Sequence, residues 1–492
     1  MGLNGKSVRV PYTFHANSSA DQASETDPLA SSPVRIYVYE LPPVFNVWLY
    51  SDGNTIASHA YKNGMFGSSI HQAFQPGGFY VGPNELGLHE RLLSSARRTT
   101  DPDEADFFYV PTWGQVAKNV GGGITDPRFG GGMHAYWASV VKYVQDTWPY
   151  WNKTEGRDHI FVLMGDHGLC ESPRGQGIPQ ALESAIILSN WGMFTDSDKE
   201  GFKPYLDKGP CFRPGQDIVI PSPFNSGHPN SPFRRNAKNK ETWKQGRDQL
   251  LYFKGQMQWG GPGKVLLADG KLMYSHGVRQ ELYEWFGNST KFPDVYLNRP
   301  GANAGRAKFC LAPAGLGFGV RVPHAIADGC IPLIIQDNVT QPFEDEFLPY
   351  SLFAVRLKEE QIPQVVDILR KYTDEQIAAM QREMECVFPY FLWTSLYGAF
   401  GDEDGHHDAF EALMGALQRR KDKQPFKEQS LCPRYQQRKE TIPKAKACHM
   451  YCDSIPHGPP SEQCKSATED VCPSYEWQPL WQPWPSGGVL QS

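Results

Sequence analysis

The chain has 492 residues, 21% of them charged, and a formal net charge of −6. That length carries two or three folded units with substantial cores, and so mild an acidity is not the basic footprint of a nucleic-acid binder, which sets DNA and RNA aside as partners. No run approaches the roughly 18 apolar residues that a spanning helix requires.

Taken in chain order, the opening "MGLNGKSVRVPY" lacks the apolar stretch of a signal peptide. Residues 1–33 read as a disordered stalk, because "HANSSADQASETDPLASSP" is nearly free of large apolar side chains. Folded structure is expected from Val34, where "VRIYVYELPPVFN" reads as a strand closed by a Pro-Pro turn. "ADFFYVPTW" and "HIFVLMGDHG" are two further short apolar runs. Between them lies "WASVVKYVQDTWPYW", whose helical spacing ends at Pro149. "SAIILSNWG" and "DIVIPSPF" continue the alternation of buried strand with helix or loop, which argues for a parallel α/β sheet over residues 34–245.

The charged "FRRNAKNKETWKQGRDQ" marks a boundary near 245. Beyond it "LLYFKGQ", "KFCLAPAG", "RVPHAIADG" and "CIPLIIQD" spell strand, strand, helix and strand, so residues 246–425 form a second α/β unit. Ile362, Val365, Val366 and Leu369 share one helical face. Thr373 and Gln376 form a capping box for the next helix, whose buried face includes Ile377, Met380 and Met384. Residues 426–492 are rich in Cys, Pro and Trp without periodicity. Cys432, Cys448, Cys452, Cys464 and Cys472 crowd there, which argues for disulfides and an oxidising compartment. Zinc is the weaker alternative, since only Cys448 and Cys452 have ligand-like spacing.

The most informative stretch is "FCLAPAGLGFGVRVPHAIADGCIPLIIQDN", residues 309–338. Gly315, Gly317 and Gly319 let the backbone approach an anion closely, and Arg321 adds a planar fork suited to phosphate oxygens. The spacing is G-x-G-x-G. It is neither the dinucleotide fingerprint nor a Walker loop, so NAD and ATP chemistry are disfavoured. The competing reading is a tight strand-to-helix turn whose glycines serve packing alone. Lys254 and Gly255, closing "LLYFKG", are further diphosphate candidates, with a surface lysine as the rival. Glu344, Asp345 and Glu346 in "PFEDEF" are placed to accept hydrogen bonds from ribose or sugar hydroxyls, against a plain solvated turn.

The Gly-loop segment followed by "PFEDEF" resembles the signature of the exostosin glycosyltransferases, glycosyltransferase family 47. "RIYVYELPPVFN", "EADFFYVPTW", "DHIFVLMGDHG", "DIVIPSPF", "LLYFKG" and "HDAFEALM" match the same family in order, so the resemblance covers about residues 34–420. It implies a GT-B fold, with two Rossmann-like domains facing across a cleft. The first would present the acceptor and the second would hold a nucleotide-sugar, expected to be a UDP-sugar. It also implies inversion at the anomeric carbon, a Golgi lumenal setting, and a glycan or glycoprotein acceptor. Family members are typically membrane-anchored, an anchor this chain lacks, and homo- or hetero-oligomers are compatible with the pattern. A catalytically silent glycan-binding subunit is the alternative.

Inversion requires a base for the acceptor hydroxyl and a positive field for the departing diphosphate. Asp166 and His167, at the end of "HIFVLMGDHG", are the candidates for the base. No metal is expected to be required. Asp101-Pro-Asp103 and Asp402-Glu-Asp404 spell D-x-D, but both stand in turn-like contexts and read as capping or solvated carboxylates.

Overall fold

The computed structural model describes residues 32–46, 88–89, 91–93, 95–112, 133–163, 168, 179–194, 211–221, 246–257, 274–315, 319–393 and 407–433. Its strands, in chain order, are β1 (Ile36–Val38), β2 (Arg98–Thr99), β3 (Phe107–Tyr109), β4 (His159–Val162), β5 (Ile186–Ser189), β6 (Gly192–Met193) and β7 (Ile218–Val219). They continue as β8 (Gln249–Phe253), β9 (Val295–Leu297), β10 (Ala307–Pro313), β11 (Ile331–Ile335), β12 (Val339–Thr340) and β13 (Val355–Leu357). The helices are α1 (Met133–Thr147), α2 (Tyr150–Thr154), α3 (Val278–Phe286), α4 (Arg321–Ala327), α5 (Tyr350–Phe353), α6 (Val365–Leu369), α7 (Asp374–Val387) and α8 (Ala409–Asp422).

Eleven of these strands form two parallel sheets, ordered β2-β1-β3-β4-β5-β7 and β13-β11-β10-β8-β9, and β6 and β12 form a separate pair. Apolar runs fill both faces of the central strands β4, β5, β10 and β11, as buried parallel sheets require. In β4, for example, Ile160 and Val162 enter one core cluster while Phe161 enters the other. Tyr136, Trp137, Val140, Val141 and Val144 recur at helical spacing along α1 and cover one face of the first sheet with Phe108, Phe161 and Ile187. The cluster on the other face runs on continuously into the second sheet and into α8.

Helix α8 binds the two halves. Its Gln418 Oε1 accepts the Val34 N–H at 2.6 Å and its Lys421 pairs with Asp106 at 3.0 Å, both in the first half. On the second half its Arg420 pairs with Glu346, while Gly415 lies so close to the Phe347 ring that a β-carbon would stand 2.6 Å from it. A mid-helix glycine costs about 1 kcal/mol relative to alanine, and this close approach is the packing it permits. A second link pairs β6 antiparallel to β12, with Val339 opposite Met193. Because β6 follows β5 and β12 follows β11, the carboxyl ends of the two sheets meet there.

The capping box at α7 forms as its sequence predicts, with Thr373 N–H to Gln376 Oε1 at 3.0 Å and Gln376 N–H to Thr373 Oγ1 at 3.3 Å. Asp101 caps a single 3₁₀ turn by accepting the Asp103 N–H at 3.0 Å, the role its turn context predicts. The expected disulfides are present, with one partner in the tail, while Cys448, Cys452, Cys464 and Cys472 lie outside the described residues. Cys310 bridges Cys330 across a 20-residue span, and Cys432, at the start of the tail, bridges Cys386 in α7. Among the described residues no helix is long and apolar enough to cross a membrane.

Candidate active site

In the second sheet β8 connects outward to β9 on one side, whereas β10, on its other side, connects to β11 in the opposite direction. The loops leaving β8 and β10 therefore diverge, and the crevice between them is where open parallel sheets bind ligands. Phe253, Lys254 and Gly255 come from the β8 side; Ala314, Gly315, Gly319 and Arg321 come from the β10 side. Sequence reasoning named most of these separately, and the fold brings them to one place. Gly317 lies outside the described residues.

Arg321, the first residue of α4, spans the crevice: its Nη1 donates to the Lys254 carbonyl at 2.9 Å, and its Cζ lies 5.3 Å from the centre of the Phe253 ring. The Lys254 side chain itself is exposed. A cation at a helix N-terminus opposes the helix dipole, burial pushes the Arg321 pKa down, and no carboxylate pairs with it among the described residues. This position is unfavourable for the isolated protein and favourable for an anion-binding one. With only seven residues in α4, the guanidinium rather than the helix dipole dominates the local field.

Two of the loop glycines stand in open space. A β-carbon at Gly315 would meet no described atom within 4 Å, and at Gly319 the nearest contact is the Pro313 carbonyl at 3.6 Å. Packing against described residues therefore does not require glycine at either position, whereas close approach by a ligand does. Gly255 is different: its β-carbon would stand 2.6 Å from Arg321 Nη2.

The turn before α3 completes the site, and sequence reasoning missed it. Ser275, His276 and Gly277 all take positive φ, at 58°, 52° and 77°. For the two non-glycine residues that costs about 1–2 kcal/mol each. The strained turn holds Gly315, whose carbonyl accepts the Ser275 N–H at 2.8 Å. It also delivers Arg279, which is 4% exposed and donates to the carbonyls of Gln256 at 2.9 Å and Ala314 at 2.8 Å and to Tyr274 Oη at 2.7 Å. Its Cζ lies 5.2 Å from the Phe253 ring centre, so that two guanidiniums flank one aromatic ring. The only local signal was a Gly-x-Arg step opening a helix, which reads equally well as a solvated face. One turn beyond Arg321, burial and that cation push the His324 pKa down to about 4, so this histidine is neutral at ordinary pH.

At the neighbouring carboxyl end of β11, the three acidic residues are not alike. Glu344 accepts from Arg356 Nη2 at 2.5 and 2.7 Å and from the Gln341 N–H at 2.7 Å, and burial raises its pKa in spite of Arg356. Glu346 pairs with Arg420. Asp345, held at φ 62°, is exposed.

Asp166 and His167 lie outside the described residues. Gly168 beside them sits against the end of β5, where its β-carbon would collide with Ser189 Oγ. A catalytic-looking row of Asp158, His159 and Tyr39, linked at 2.7 and 2.8 Å, stands elsewhere. His159 opens β4 at the amino edge, fully buried and stacked 4.9 Å from the Phe108 ring, so that row braces the core.

Parallel sheets with a crevice at a strand-order reversal, bordered by glycine backbone and Arg321, place the chain in the Rossmann-like class of α/β proteins. A family model described as the Exostosin GT47 domain matches residues 30–372, and the chain belongs to this family and is a glycosyltransferase. It is 28% identical over 431 residues to the probable glucuronosyltransferase GUT1 of Oryza sativa subsp. japonica, an alignment covering 83% of this chain and 88% of the relative. A probable glucuronoxylan glucuronosyltransferase of Arabidopsis thaliana is 28% identical over 387 residues, covering 76% of this chain and 71% of the relative. The probable beta-1,4-xylosyltransferase IRX10 of Arabidopsis thaliana is 29% identical over 389 residues, covering 75% and 79%.

Proposed function

We propose that this chain is an inverting glycosyltransferase that moves a sugar from a nucleotide-diphosphate sugar, a UDP-sugar, to a glycan or glycoprotein in the Golgi lumen. The reading takes the two sheets as the two domains of a GT-B enzyme, residues 34–245 receiving the acceptor and residues 246–425 the donor. Arg321 carries it: a half-buried cation without a carboxylate partner among the described residues, stretched across the switch-point crevice beside open glycine backbone. The loop amides and Arg321 stabilise the departing diphosphate, Lys254 stands at the rim, and Asp345 and Glu344 receive donor hydroxyls. Asp166 and His167 take the acceptor proton. The relatives' names point to glucuronic acid or xylose as the transferred sugar and to a xylan-type acceptor.

The test is a panel of nucleotide-sugars screened for donor hydrolysis, with wild-type protein and Arg321→Ala compared by calorimetry on the matching nucleoside diphosphate. Loss of one charge-assisted bond is worth about 1.5–3 kcal/mol, a fall in affinity of about ten- to a hundredfold. Unchanged affinity in Arg321→Ala would place the donor elsewhere.

A further inference from the structure

We propose that Arg279 is the buried counter-charge of the leaving diphosphate, a positioning residue that acts on the ligand through the Ala314–Gly315 turn without touching it. This rests on the nucleotide-diphosphate reading of the crevice.

Buried ions are ordinarily paired, because removing a charge from water costs more than neutral hydrogen bonds return. Two other largely buried arginines show the rule: Arg213 pairs with Asp217 and Arg420 with Glu346. Arg247 donates to carbonyls at the amino edge, where the Asp328 charge offsets its own. Among the described residues Arg279 has no such offset. Among the described residues its side chain donates only to two carbonyls and a phenol, its buried Nε has no acceptor, and Arg321 on the other side of the Phe253 ring carries a like charge. Among the described residues no carboxylate answers either guanidinium. Burial and Arg321 both push the Arg279 pKa down, the direction expected of a cation awaiting an anion.

Its placement explains why the charge is kept. The Gln256 and Ala314 carbonyls belong to the two loops that diverge at the crevice, so one fork ties both walls together. In a trans peptide the C=O and the following N–H point opposite ways. Drawing the Ala314 carbonyl toward Arg279 therefore turns the Gly315 N–H away from it. Arg279 both aims a loop amide and supplies a fixed positive field from below, from a buried position where water screens it little.

The experiment titrates the full chain by calorimetry with UDP, GDP and the corresponding monophosphates. Wild-type protein is expected to prefer the diphosphate of one base. Arg279→Gln is expected to lose diphosphate affinity by on the order of ten- to a hundredfold and monophosphate affinity by less than about threefold. Arg279→Lys, which keeps the charge and loses the fork, is expected to hold the preference within about threefold. Equal losses for both ligands in Arg279→Gln, or none, overturn the proposal, since an arginine that only supports the turn does not sense the ligand's extra charge. Where Arg279→Gln does not fold, Arg279→Lys decides: a folded lysine variant without the preference is equally fatal. Wild-type protein that binds neither diphosphate removes the nucleotide reading and this proposal together. A loss in Arg321→Ala with Arg279→Gln unaffected removes this proposal alone.

Discussion

The α-carbon of Gly255 lies against the guanidinium of Arg321: a β-carbon built there would stand 2.6 Å from Nη2 and 2.9 Å from the Phe253 ring. The end of a long side chain gives way more readily than backbone. Gly255→Ala is therefore expected to displace the Arg321 fork at a stability cost below about 1 kcal/mol. Nucleoside diphosphate affinity should fall about tenfold, the loss of one charge-assisted contact. Calorimetry beside a thermal melt checks this; a large drop in melting temperature with affinity intact would mean that the glycine serves packing only.

The His324 imidazole predicts acid lability of the fold around the second sheet. Its pKa falls from 6.5 to about 4 on folding, through burial first and Arg321 second. Between those values the unfolded chain binds the proton and the folded chain does not, so stability decreases as pH drops through that window. At full effect the loss is about 3 kcal/mol. Denaturant midpoints of wild type and His324→Gln should converge in their pH dependence above neutrality and separate below pH 6.5. A glutamine variant with the same acid slope would assign the loss to other groups, of which His89, also lowered to about 4 by burial, is the first to test.

For the proton acceptor, Asp166→Asn and His167→Ala should each abolish sugar transfer while leaving nucleoside diphosphate affinity within about threefold, because a base acts on the acceptor and not on the donor. Transfer assays with a defined acceptor, run beside donor titrations, separate the two. Normal turnover in both variants would return the role to another residue.

The acidic residues after β12 separate in the same way. Glu344→Gln is expected to weaken the fold by about 1–3 kcal/mol, since it leaves Arg356 without its carboxylate. Asp345→Ala is expected to leave the melting temperature unchanged and to raise the KM for the donor. Equal effects of both on KM alone would mean that the Arg356 pair contributes nothing to stability.

Much of this was legible in the residues because it is local. A strand such as Ile331–Ile335 announces itself as an apolar run, and Thr373 and Gln376 cap each other across one turn. Gly315, Gly319 and Arg321 were marked as candidates by their types and spacing. Short strands such as β9 and β13 left no comparable mark. Their few residues acquire meaning only by register with a neighbour, as when Val295 lies opposite Leu251. Arg279 was invisible for the same reason, since nothing nearby in the chain distinguishes a buried guanidinium from a solvated one.

What the sequence determined by itself is the alternation of strand and helix, the glycine loop and the family to which these motifs belong. Tertiary structure alone decided that Arg321 reaches the carbonyl of Lys254, 67 residues away, that Cys432 leaves the tail to bridge Cys386, and that Glu344 is held by Arg356. The division has a physical cause. Backbone preference and apolar periodicity act over a few residues, whereas the partner of a charge or a thiol is whichever group the packed sheets bring within a few ångströms, and sequence distance does not enter that choice.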